Sequence, residues 1–191
     1  MNSRTDDDDC NRLTPTDGWI TPSRIANCIR AGNMPSDRAF DQLLPPEFQG
    51  PSEHYWTPLR LALRAGDWFE EFGVQSVVDI GSGVGKFCVI AALRCRARFV
   101  GIEHRKNLVE AARDLASTLG VADRVEFRHE VFGRSRTPAA GAYYLFHPFG
   151  ENLYELAKRL DDSVETSRPR FVHEVWRCSA YCAWPRWALG W

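Results

Sequence analysis

The sequence predicts an α/β protein built on a doubly wound, mostly parallel sheet, and three observations carry that prediction. Four runs rich in β-branched and aromatic residues, 76–80, 98–102, 124–128 and 142–146, alternate with stretches of helical periodicity. Directly behind the first run, "VVDIGSGVGKF" (Val77 to Phe87) sets three glycines on alternate positions. A chain gives up side chains at that density where its backbone turns sharply or comes close to something. A hydrophobic content of 44% in 191 residues suffices for a buried core, which excludes a largely disordered chain.

Residues 1–52 read as an N-terminal extension, an adapter of short helices and disordered chain outside the core. They hold the solvated run Asp6 to Asp9 and prolines at 15, 22, 35, 45, 46 and 51, which break regular structure. Short helical turns fit "PSRIANCI" and "DRAFDQLL". Residues 53–160 read as one domain. Thr57 suits a helix cap and Pro58 the first turn; Leu61, Arg64, Ala65, Trp68, Phe69 and Phe72 recur at helical spacing until Gly73. The strand 76–80 leads through the glycines into a helix at "KFCVIAALRC". The strand 98–102 precedes a helix at 106–120, with Leu108, Ala112, Leu115 and Leu119 on one face and Gly120 as terminator. After the strands 124–128 and 142–146 comes a last helical stretch, "ENLYELAKRL". Such alternation implies parallel strands, right-handed crossovers and helices on both faces, the spacing of a nucleotide-binding half.

The 24 basic and 25 acidic side chains nearly cancel, so no global field draws the protein onto nucleic acid or anionic membrane. Six scattered cysteines, with no C-x-x-C pair and no signal-peptide pattern ahead of them, point to reduced thiols and a cytoplasmic location. Cys88 and Cys95 suit small buried hydrophobes, and Cys178 and Cys182 have no histidine at zinc-site spacing, so no metal is expected. The run "FCVIAAL" is far too short to span a bilayer, and no membrane partner is expected.

In an open α/β sheet a ligand lies beyond the carboxyl ends of the strands, where a glycine-rich turn feeds a helix. Gly81 permits the turn, Gly83 removes a side chain where a ligand would lie, and Gly85 lets the helix pack closely. A P-loop fails twice, because the positions it needs as Gly and Ser or Thr are Ile80 and Phe87. A dinucleotide fingerprint fails at residue 86, where its third glycine is Lys86. The pattern is D-x-G-x-G-x-G, starting at Asp79.

These residues resemble the class I S-adenosylmethionine-dependent methyltransferases, whose first motif ends a strand with an acidic residue followed by G-x-G-x-G. The resemblance covers roughly residues 55–156 and implies a Rossmann-like fold with S-adenosyl-L-methionine as cofactor. It implies that Glu103, in "FVGIEHR" 20 positions beyond Gly83, accepts hydrogen bonds from both ribose hydroxyls. More weakly, it implies that Glu130 meets the adenine amino group, a surface charge being the equal alternative. Asp79, Gly81, Ser82, Gly83 and Gly85 form the loop at the cofactor. The string D-x-G-S-G-V-G followed by G-I-E resembles the histone-lysine methyltransferases that lack a SET domain (the DOT-type group). In that group an upstream tyrosine and a hydroxyl residue, here Tyr55 and Thr57, close over the methionine end.

The acceptor side falls in "YYLFHPFGEN". Methyltransferases of base amino groups carry [DNS]-P-P-[YF] here, and His147-Pro148-Phe149 departs from it, as it does from the asparagine-rich loop of the lysine group. His147 is the candidate proton acceptor, against a structural role in the loop, and Phe149, Tyr143 and Tyr144 are candidate walls of the acceptor channel. Protein lysine is the first acceptor expected, ahead of nucleic acid or a small molecule; a non-catalytic binding module is the alternative outside enzymes. Residues 161–191 carry four of the seven tryptophans but lack three alternating segments. The expectation is a sheet missing its C-terminal strands, with self-association through an exposed edge or the Trp-rich tail.

Overall fold

The structure, a computed structural model, describes residues 21–50, 55–134 and 136–148. Four parallel strands, β1 (Ser76–Ile80), β2 (Arg98–Glu103), β3 (Val125–His129) and β4 (Ala142–Leu145), pair in the order β3-β2-β1-β4. This is the Rossmann-like, doubly wound arrangement. Because β2 and β4 flank β1 on opposite sides, the winding reverses there, and a crevice opens over the carboxyl end of β1. Every predicted run falls on its strand to within a residue at either end.

Helices α5 (Lys86–Arg94) and α6 (Lys106–Thr118) connect β1 to β2 and β2 to β3. α5 is buried from Lys86 to Leu93, as befits a helix that is apolar nearly all round. Among the described residues helices cover one face of the sheet, and the link from β3 to β4 contains none. On the other face Val78, Ile80 and Ile102 form a smaller apolar cluster, edged by Val100, Phe132, Ala140 and Leu145. The helix expected at 151–160, the Trp-rich 161–191 and Phe149 lie outside the described residues.

Helix α4 (Leu59–Glu71) departs from its sequence reading in two ways. Thr57 does not cap it: the helix begins after Pro58, which offers no acceptor, and the Leu59 N–H donates instead to Asp37 Oδ1 at 2.9 Å. Its buried face is also the small one, Leu59, Ala62, Leu63, Ala65 and Gly66, while Leu61, Trp68 and Phe72 are 41%, 47% and 73% exposed. Close packing on α5 decides this, since a Cβ on Gly66 would lie 2.7 Å from Arg94 Cβ. At its other end Gly73 adopts φ 64° and the Val74 N–H reaches back to Phe69 O at 2.8 Å, closing the helix as expected.

Residues 21–50 are not an adapter outside the core. Helices α1 (Pro22–Arg30), α2 (Asp37–Asp41) and α3 (Pro46–Gln49) bury Ile25, Ile29, Phe40 and Phe48 in the same cluster as Leu59, Ile90 and Phe99. Two of the prolines read as breakers start helices: Pro22 follows Thr21, whose hydroxyl accepts from the Arg24 N–H, and Pro46 opens α3. Cys88 and Cys95 are free and buried.

Candidate functional site

The bend after β1 is pinned to its neighbour strand. Gly81 and Ser82 both donate N–H to Ile102 O, at 2.9 and 3.1 Å, and Gly85 donates to Ser82 O at 2.9 Å. Gly81, Gly83 and Gly85 all have positive φ, 77°, 54° and 74°, which L side chains adopt at a cost. Each also faces something. A Cβ on Gly81 would lie 3.0 Å from Pro148, and one on Gly85 would meet Phe127 and, at 2.8 Å, Ala112. A Cβ on Gly83 would lie 2.7 Å from the Trp56 ring, so the space expected to be open there is taken by the chain's own indole.

The bend nonetheless faces Glu103. The Gly83 N–H donates to Glu103 Oε2 at 3.1 Å, and Oε1 accepts from the N–H groups of His104 and Arg105 at 2.8 and 2.9 Å. His104 Nδ1 lies 3.2 Å from the same Oε1. These donors hold the buried carboxylate rigidly across the crevice. Oε2 takes one donor within the described residues and retains lone-pair capacity for another. Glu130 follows β3, half-buried, its N–H on Glu103 O at 2.9 Å.

Asp79 points beneath the bend, not out of it. Strand register sets Tyr144, Asp79, Gly101 and Phe127 in one row on the helix-covered face. Its carboxylate accepts the Cys88 thiol at 3.4 Å. Burial pushes Asp79 from the usual 3.8 up to about 7; the Cys88 hydrogen bond opposes that shift and the Glu103 charge adds to it. Burial and the Asp79 charge push the Cys88 thiol well up in turn. Ser82 also turns inward, its hydroxyl without a partner in the structure and 2.7 Å from where a Cβ on Gly101 would stand. The Ser82 side chain thus lies on the core side of the bend, and its backbone N–H faces Ile102 O. Thr57 Oγ1 lies 3.2 Å from the Tyr144 hydroxyl, and Tyr144 stacks on Phe87 at 3.5 Å. Burial raises the Tyr144 phenol to about 12, against the Thr57 hydrogen bond. Tyr144 is thus core-facing, and Tyr143, on the opposite face and exposed, donates its hydroxyl to Pro138 O at 2.8 Å. Tyr55, Trp56, Thr57, Asp79, Gly81 and Phe146 border a space of about 10 Å³, room for a water at most.

His147 has the one positive φ, 49°, among the described non-glycine residues, and its exposed ring meets Phe146 edge-on at 4.7 Å. That conformation carries Pro148 over Gly81. Strain of this kind is held where surrounding structure imposes it, often at functional sites. Sequence reasoning missed Trp56 against Gly83, and Lys86, whose ammonium lies 2.6 Å from Asp37 and 2.7 Å from Asp41. Asp37 and Asp41 are four apart, on one helical face, but nothing in the sequence ties that face to Lys86. No group of three or more metal-ligating side chains occurs among the described residues, and no described helix is long and apolar enough to cross a membrane.

With the loop, Glu103 and their hydrogen bond in place, comparison with known proteins is informative. Residues 74–135 match a protein-family model described as a methyltransferase domain. Solved structures similar to the chain include an RNA methyltransferase from Salinibacter ruber in complex with S-adenosyl-L-homocysteine. It is 36% identical over 47% of this chain and 58% of that one, with a TM-score of 0.41. A methyltransferase from Geobacter sulfurreducens with the same ligand is 27% identical over 55% and 44%, TM-score 0.43. One from Thiobacillus denitrificans is 32% identical over 46% and 37%, TM-score 0.36. The chain spans less than two thirds of each of these proteins.

Proposed function

We propose that this chain binds S-adenosyl-L-methionine and transfers its methyl group to an acceptor. The observation that carries the reading is the bond from Gly83 N–H to Glu103 Oε2, which joins the glycine bend of the methyltransferase-matching segment to a carboxylate at the end of β2. Two features of the site suit that cofactor. Glu103 is fixed by backbone donors with an acceptor site to spare for a ribose hydroxyl. Asp79, buried with a thiol as its hydrogen-bond partner among the described residues, supplies negative charge beneath a ligand carrying an ammonium and a sulfonium.

The cofactor supplies a methyl group already on a positively charged sulfur. The chain need then hold an acceptor in line, exclude water and leave the acceptor unprotonated. Since the space beneath the bend admits no ligand, the cofactor lies over it, between Glu103 and the His147–Pro148 turn, with Trp56 as its wall at Gly83. Glu130 flanks the adenine end. His147, at the mouth and exposed, is placed to take a proton from an incoming amine.

Protein lysine is the acceptor we favour, on the D-x-G-S-G-V-G and G-I-E strings and on the departure of His147-Pro148 from the base-amine motif. Labelled methyl donor incubated with protein, RNA, DNA and small-molecule fractions tests this. Label in protein, lost in Gly83→Val, is expected; label in RNA alone moves the acceptor class, and none in any fraction leaves a binding module.

A further inference from the structure

Behind the glycine loop, a chain of buried and part-buried polar contacts runs from the N-terminal helices to the segment that carries Trp56. Lys86, at the foot of α5 and 2% exposed, places its ammonium between Asp37 Oδ1 at 2.6 Å and Asp41 Oδ1 at 2.7 Å, with the Phe40 ring 5.6 Å away. The same Asp37 oxygen accepts the Leu59 N–H at 2.9 Å, three residues after Trp56. From the other side the Trp56 indole donates to Phe48 O in α3 at 2.9 Å. The ring so gripped is the one that stands 2.7 Å from the Cβ position of Gly83.

We propose that Lys86 is a positioning residue for the cofactor site: through Asp37 and Leu59 it fixes Trp56 against Gly83, making helices α2 and α3 a working part of that site. The proposal rests on the S-adenosylmethionine reading. Stability alone is a poor reason for this arrangement, since apolar residues in place of a buried ion pair commonly hold a fold as well or better. What a charged, hydrogen-bonded triad adds is registration. Here a single carboxylate oxygen serves both the helix that follows the glycines and the helix that follows Trp56, so the two cannot slide independently.

The full chain carrying 5-fluorotryptophan tests this, with the Trp56 resonance identified by its loss in Trp56→Phe. Lys86→Met removes the ammonium. Asp37→Asn, at a half-exposed position, keeps an acceptor for the Leu59 N–H and weakens the link to Lys86. In both, the Trp56 resonance is expected to shift or broaden and the dissociation constant for S-adenosylhomocysteine to rise, at least tenfold in Lys86→Met and about threefold in Asp37→Asn, at temperatures where circular dichroism shows a folded protein. An unmoved resonance, or affinities within twofold of the unaltered chain, overturns the proposal. Should Lys86→Met not fold, Asp37→Asn decides. Failure of the unaltered chain to bind S-adenosylhomocysteine overturns the cofactor reading, and the Trp56 resonance in the variants still judges the linkage.

Discussion

On the two sides of the glycine bend the protein buries charge in opposite ways. At the foot of α5, Lys86 is met by two carboxylates within hydrogen-bond distance. At the end of β1, Asp79 is met by a thiol at 3.4 Å, with a second carboxylate, Glu103, near enough to raise its proton affinity. Burying a charge costs little when it is paired and much when it is not. The charges of the first region are therefore matched within the chain. The second is incomplete, and a proton or a cation from outside completes it.

The largest effect expected from that contrast is in stability against pH. Asp79 binds its proton up to about 7 in the folded state and up to the usual 3.8 unfolded, so between those values the folded state holds more protons. Its contribution is present at low pH and is lost as pH rises toward 7, on the order of 4 kcal/mol at roughly 1.4 kcal/mol per unit. Asp79→Asn removes the effect: urea unfolding should show variant and unaltered chain alike near pH 4 and the variant the more stable at pH 8. Equal stabilities at both pH values would mean that Asp79 is already paired.

Next in size is Lys86→Met, expected to destabilise by roughly 3 kcal/mol because Asp41 is left buried without its cation. A loss well under 1 kcal/mol, read in the same urea titration, would erase the distinction between the two regions. Smallest is Thr57→Val, which removes the hydroxyl contact to Tyr144 for about 1 kcal/mol. It should also shift the Tyr144 phenol further up in an absorbance titration, since that hydrogen bond opposes the rise. An unchanged titration would detach Thr57 from the β1 side of the contrast.

The sheet was legible because its signals are local. Runs rich in β-branched and aromatic residues mark each strand, and Gly73 and Gly120 stop helices whatever surrounds them. Glu103 was legible because its place is fixed by strand length beyond a recognisable bend. Less was readable where partners lie far apart in sequence. Nothing near Lys86 announces Asp37 and Asp41, 49 and 45 positions away. The prolines of the N-terminal segment read as breakers because Pro22 and Pro46 were counted without their neighbours, Thr21 as a cap above all. Trp56 was passed over for Tyr55 and Thr57, although the largest of three adjacent side chains is the one a bare glycine accommodates. The inward turn of Asp79 follows from strand register, which a sequence does not display.

The central claim is that the bend and Glu103 together hold an adenosine ribose at the cofactor end of a methyltransferase. Isothermal titration of the full chain and of Glu103→Gln with S-adenosylhomocysteine, and with NAD in parallel, tests it most directly. One equivalent of S-adenosylhomocysteine should bind, at least tenfold more weakly in Glu103→Gln, with no heat from NAD. Binding of NAD without S-adenosylhomocysteine, or equal affinity in the folded Glu103→Gln variant, would contradict the account.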